Sequence, residues 1–136
     1  MSEAQTSNDE LRRLIEMPRG EFEDLAAGLY RALGHRAVCT HAKESDAAHV
    51  IVQALNGQKW IVQCRQWRGA VGETVVREFL ALMEREQAAQ GAIITTAKFT
   101  PKARDWAKGK PLHLYDGDEF IQAMKRIRSR RPSMGG

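Results

Sequence analysis

A chain of 136 residues suits one domain with a single core. Its hydrophobic share of 43% and charged share of 28% are those of an ordinary globular protein, and no apolar run approaches the ~20 residues of a membrane span. The net charge of +4 comes from one end: Lys125, Arg126, Arg128, Arg130 and Arg131 follow the last acid, and the remaining 16 bases against 17 acids leave residues 1–124 at −1. The basic pI therefore describes a tail and does not by itself make the folded body a nucleic-acid binder. The polar, acidic start "MSEAQTSNDE" has neither the basic beginning nor the apolar middle of a signal peptide, so a cytoplasmic protein is expected. Cys39 and Cys64 form no C-x-x-C pair and no zinc spacing, and are expected as reduced, mostly buried thiols.

Residues 1–6 are expected to be disordered. "SNDELRRLIEM" opens with the capping-box pair Ser7 and Glu10 ahead of Leu11, Leu14 and Ile15, which predicts a short helix that Pro18 interrupts. "GEFEDLAAGLYRALG" carries Phe22, Leu25, Ala26, Leu29, Tyr30 and Leu33 at helical spacing, with Gly34 as the stop. "HRAVCTH" and "AHVIVQAL" read as strands. Asn56-Gly57 then predicts a hairpin into "QKWIVQCRQW". A helix is predicted over "ETVVREFLALMEREQAAQ", ended by Gly91, followed by the apolar strand "AIITTA". Pro101 opens the helix "PKARDWAKG", "PLHLYD" is the last strand, and "GDEFIQAMKRIR" the last helix. "SRRPSMGG" reads as a disordered tail. A hairpin followed by strand–helix alternation predicts a mixed sheet between helices. Three segments result: 1–17 as a short helix and disordered start, 18–128 as the domain, and 129–136 as a basic tail.

The stretches "EFEDLAAGLYRALGHRAVCT", "WIVQCRQWRGAVGETVVREFLAL" and "GAIITTAKFTPKARDWAKGKPLHLYDGDEF" resemble the catalytic domain of Mrr-type restriction endonucleases, within the PD-(D/E)XK nuclease superfamily. The likeness runs from about Pro18 to Lys125 and keeps several motifs in order. It implies a restriction-endonuclease-like fold, with three α/β/α layers around a central mixed sheet. It also implies a site built from a helix Glu, here Glu23, an Asp after a Gly-rich turn, and a Gln and Lys spaced Q-x-K. Such a site holds Mg²⁺ through carboxylate oxygens, and the metal polarises the scissile phosphate and activates water.

This chain departs from that pattern. "SDAAHVIV" aligns with the turn, so Asp46 matches its first Asp, but the catalytic Asp falls on Val50. Gln63 is kept and the Lys falls on Arg65. An Arg stays protonated and cannot act as a base, although it can grip a phosphate in bidentate fashion. Losing such groups singly costs roughly 10² to 10⁴ in rate, so the expectation is a degenerate site with no catalytic residue intact and no cofactor.

For DNA contact the candidates are Arg65, Arg68, Lys98 and Lys102. Lys98 and Lys102 flank the start of a helix, a natural phosphate position, and the plain alternative is a solvated basic face. Trp67 either stacks on a nucleic acid or packs under a loop. Gln63 with Arg65 is either a vestigial phosphate grip or an ordinary polar pair. His49 is expected to be structural.

The preferred expectation is a domain that binds duplex DNA, with the nuclease chemistry lost. One alternative is a Mg²⁺-dependent endonuclease that recruits Asp46 with Glu23, set against Asp46 as a solvated turn residue. Another is a protein-interaction scaffold, including a homodimer face. No membrane partner is expected.

Overall fold

The structure, a computed structural model, describes residues 3–43 and 47–130, with side chains from Asn8 to Ser129. Five helices and five strands follow in the order α1 (Glu3–Glu16), α2 (Arg19–Ala32), β1 (Arg36–Cys39), β2 (Val50–Gln53), β3 (Lys59–Arg65), α3 (Glu73–Arg85), β4 (Gln90–Thr95), α4 (Pro101–Ala107), β5 (Leu112–Tyr115) and α5 (Gly117–Arg130). The strands lie side by side in sequence order. β1, β2 and β3 are antiparallel neighbours, and β3, β4 and β5 are parallel. This is the expected mixed sheet of a three-layer α/β/α domain.

Alternation along the strands builds two cores. Val50, Val52, Val62, Cys64, Ala92 and Ile94 pack against α2 and α5, where Phe22 meets Phe120 edge to face at 5.7 Å. Ile61, Ile93 and Leu112 turn the other way, onto Val76, Phe79, Met83 and Ala103 of α3 and α4. β4 is apolar on both faces from Gly91 to Ile94 because both are covered, whereas the α3 face of β3 turns polar at Gln63 and Arg65.

Several boundaries differ from expectation. α1 already begins at Glu3, so residues 3–6 are helical and the Ser7–Glu10 pair lies inside the helix. Local capping chemistry competed there with helix propagation from upstream, and propagation prevailed. α3 stops at Arg85, not near Gly91, because Gln87 takes φ 55° and breaks the helix. Gly91 instead sits in β4, where a Cβ would lie 2.7 Å from Phe79 Cε2 and 2.8 Å from Met83 Sδ. Its smallness lets α3 approach the sheet. α5 runs to Arg130, so Lys125, Arg126 and Arg128 lie on a helix and the expected tail loses residues 129 and 130. Residues 131–136 lie outside the described ones.

The Asn56-Gly57 turn joins β2 and β3 as expected. Gly57 has φ 87°, and Asn56 Oδ1 accepts from Gln58 N–H at 2.9 Å. Thr100 caps α4 by accepting from Ala103 N–H at 3.1 Å. Cys39 and Cys64 are free thiols, Cys64 buried and Cys39 partly so.

Candidate functional site

The start of β2 is irregular. His49 N–H donates to Val62 O at 2.9 Å, although Val50 is the residue paired with Val62. Two residues thus oppose one, the arrangement of a β-bulge. Nearby, Cys64 N–H donates to His49 Nδ1 at 2.8 Å. The imidazole satisfies a backbone donor inside the sheet, which is the structural role expected of it.

β2 runs antiparallel to β3, so this start lies beside the C-terminal end of β3. Glu23 and the N-terminus of α2 reach the same end, but from one side of the sheet only. Glu23 is buried at 3% exposure and sits near Cys64 on the α2 face. Gln63 and Arg65 point to the opposite face, lining a cleft of about 280 Å³ with Glu78, Phe79, Leu82 and Arg85. Val50, the position that the resemblance matches to the catalytic Asp, is fully buried in the α2-side core. The sheet therefore separates Glu23 from Gln63 and Arg65. Asp46 lies outside the described residues.

Each polar group is engaged. Arg65 Nε donates to Gln63 Oε1 at 3.0 Å, and Gln63 Nε2 donates to Ala47 O at 3.4 Å. Arg65 is only 8% exposed, and its guanidinium lies 4.7 Å from the Trp67 ring centroid. Burial pulls its pKa below the ordinary value, with Glu78 opposing that shift. Glu23 Oε2 accepts from Arg19 Nε at 3.0 Å. Gln66 Nε2 donates to Leu14 O at 3.0 Å and Met17 O at 2.8 Å, tying the end of β3 to α1.

The described residues do not by themselves fit Mg²⁺. A hard cation needs converging carboxylates. Here Glu23 is held by an arginine, Gln63 lends its oxygen to Arg65 on the opposite face of the sheet, and Val50 has no donor. Among the described residues no three His, Cys, Asp or Glu side chains cluster to hold a metal.

The loops after β3 and β4 continue side by side. Thr96 N–H donates to Arg65 O at 3.1 Å, Thr96 Oγ1 donates to Trp67 O at 2.8 Å, and Val71 N–H donates to Lys98 O at 2.7 Å. Arg68, Lys98 and Lys102 are thereby brought to the C-terminal ends of the parallel strands, where open α/β sheets bind ligands. All three are exposed. Lys98 is committed, with Asp118 Oδ2 at 2.7 Å and Asp116 Oδ2 at 3.6 Å from Nζ, and the Asp118 bond raises its pKa. Arg104 similarly binds Glu119 Oε1 at 2.6 Å and Asp116 Oδ2 at 3.1 Å. Among the described residues Arg68 and Lys102 have no ion-pair partner. Arg65, the fourth expected DNA contact, is buried under Trp67.

Sequence reasoning passed over Arg19, Gln66 and the acids Asp116, Asp118 and Glu119. The i,i+4 pair Arg19–Glu23 on a helix was a readable signal. The contacts of Gln66 span about fifty residues and left none.

The fold and this end of the sheet define a restriction-endonuclease-like domain. The DNA modification-dependent restriction endonuclease AspBHI superposes with a TM-score of 0.67 at 17% identity, over 94% of this chain and 38% of that one. MspJI, solved in complex with a 27-mer oligonucleotide, superposes with a TM-score of 0.63 at 14% identity, over 93% and 33%. At such identities the likeness concerns the fold. The sequence narrows the class: the profile of the restriction endonuclease family of Mrr catalytic domains matches residues 14–124, and the chain belongs to that family. The type IV methyl-directed restriction enzyme EcoKMrr of Escherichia coli K12 is 30% identical over 127 residues, covering 87% of this chain and 41% of the enzyme. The chain thus spans about two fifths of the length of that relative. No described helix is long and apolar enough to cross a membrane.

Proposed function

We propose that this domain binds duplex DNA through phosphate contacts and has lost the nuclease chemistry of its family. The observation that carries the second half is Val50, a core side chain with 0% exposure at the position aligned with the metal-binding carboxylate. The family membership and the exposed Arg68 and Lys102, which have no ion-pair partner among the described residues, support the first half. Contacts of this kind carry no base identity, so binding is largely indifferent to sequence and weakens steeply with salt. The methyl-directed activity in the name of EcoKMrr belongs to a chain more than twice as long.

Fluorescence anisotropy on a labelled duplex across a salt series, with a plasmid-nicking assay in Mg²⁺ and Mn²⁺, tests both halves. The expected outcome is saturable binding at low salt, a linear loss of log affinity with log salt, and intact plasmid. Undetectable binding at low salt overturns the DNA reading. Nicking that disappears on Glu23→Gln overturns the loss of chemistry.

A further inference from the structure

The first residue of α2 places a cation where three oxygens meet. Arg19 Nε donates to Glu23 Oε2 at 3.0 Å, Nη1 to Lys43 O at 3.2 Å, and Nη2 to Ala42 O at 2.7 Å. His49 Nε2 lies 2.9 Å from Nη2. It is not a fourth acceptor, because a neutral imidazole accepts at one nitrogen only. The Cys64 amide, inside the sheet, takes Nδ1 at 2.8 Å, so the ring proton is assigned to Nε2. A histidine that ligates a metal through Nε2 needs that nitrogen bare and donates its other N–H outward. His49 is wired the opposite way.

One carboxylate and two backbone carbonyls are the donors that a hard divalent cation takes. A planar guanidinium reaches all three with separate N–H groups. The Glu23 side chain is 4% exposed and that of Arg19 45%, so Arg19 covers a buried carboxylate from the solvent side. Removing one partner of such a pair leaves an uncompensated buried charge.

We propose that Arg19 is the resident cation of this corner. Its guanidinium fills the point between the Glu23 carboxylate and the two carbonyls, where a hard cation would otherwise find oxygen donors, neutralises Glu23, and fastens the segment after β1 to α2. The corner therefore binds no divalent metal, and its integrity needs none. This inference stands whether or not the domain binds DNA.

Thermal melts of the 136-residue chain in EDTA and in millimolar Mn²⁺, with Mn²⁺ binding followed by water-proton relaxation, test it. The wild type is expected to bind no Mn²⁺ and to keep its Tm within about 1 °C between the two conditions. Arg19→Gln should lower Tm by about 5 to 10 °C. Arg19→Lys should recover less than half of that loss, because one ammonium cannot span three acceptors. Arg19→Gln with Glu23→Gln should melt above Arg19→Gln alone, because the stranded carboxylate is gone. Should Arg19→Gln fail to fold, a folded double variant supports the proposal. Two results overturn it: one Mn²⁺ bound by the wild type and lost in Glu23→Gln, or a double variant no more stable than Arg19→Gln.

Discussion

Arg65 Nε donates to Gln63 Oε1 at 3.0 Å, two positions along one strand, and the pair looks onto α3 while Glu23 lies behind the sheet. The residues that the resemblance matches to the family's Gln and Lys are thus bonded to each other. Arg65→Ala strips a partner from a buried amide oxygen and removes the stack on Trp67. It should cost about 2 to 3 kcal/mol in urea unfolding. Arg65→Lys keeps the charge but loses the planar fork, and about 1 to 2 kcal/mol is expected from that. Restoring the family's lysine in this way should produce no plasmid cleavage, since Val50 supplies no carboxylate.

Val50→Asp, the complementary reversion, should be far more damaging. Val50 is fully buried in the apolar core that includes Phe22, Val52, Val62 and Phe120. A loss of at least about 3 kcal/mol is expected, read as a lower urea midpoint or an insoluble protein. A soluble variant of wild-type stability would show that the start of β2 can rearrange toward the solvent.

The ion cluster between α4 and α5 predicts a pH dependence. Burial opposes ionisation of Glu119, but the Arg104 hydrogen bond and the Asp116 amide hold its pKa below the usual carboxylate value. A folded-state pKa below the unfolded one adds stability above the unfolded value, and that stability fades as pH falls through the folded one. The loss should therefore appear on the acid side of the ordinary carboxylate range. The Glu119 side chain is 44% exposed, so solvent screening limits the effect to about 0.5 kcal/mol. Glu119→Gln should remove this part of the pH dependence, measured as Tm against pH.

Salt dependence separates the basic residues at the ends of β3 and β4. Arg68→Ala and Lys102→Ala should each weaken duplex binding at all sequences and reduce the slope of log affinity against log salt by about 1. Lys98 is already paired with Asp118, so Lys98→Ala should change the slope less. Equal slopes for all three variants would place the interface elsewhere.

Most of the fold was legible because its signals are local. Pro18, Gly34, Asn56-Gly57 and Thr100-Pro101 each impose a turn or cap through their own backbone chemistry, and all four mark boundaries in the structure. The end of α3 was not legible. Gln87 at φ 55° has no composition signal, and Gly91, which looked like a stop, is small because Phe79 lies against it. Both are tertiary facts expressed through one backbone angle and one missing Cβ.

The sequence by itself determined the layered α/β architecture, the family, and the absence of a carboxylate at position 50, since element periodicity and residue identity need no third dimension. Only the tertiary structure decided what the remaining polar residues do. Side chains alternate across a sheet, so Gln63 and Arg65 were carried to the face opposite Glu23. Loop closure brought Lys98 onto Asp118 and left Arg68 and Lys102 without an ion-pair partner among the described residues. The start of α2 met the segment after β1, and Arg19 became the partner of Glu23, Ala42 and Lys43. A charge's partner is set by distance in space, and residues twenty-four apart along the chain, such as Arg19 and Lys43, reveal that distance only once it has folded.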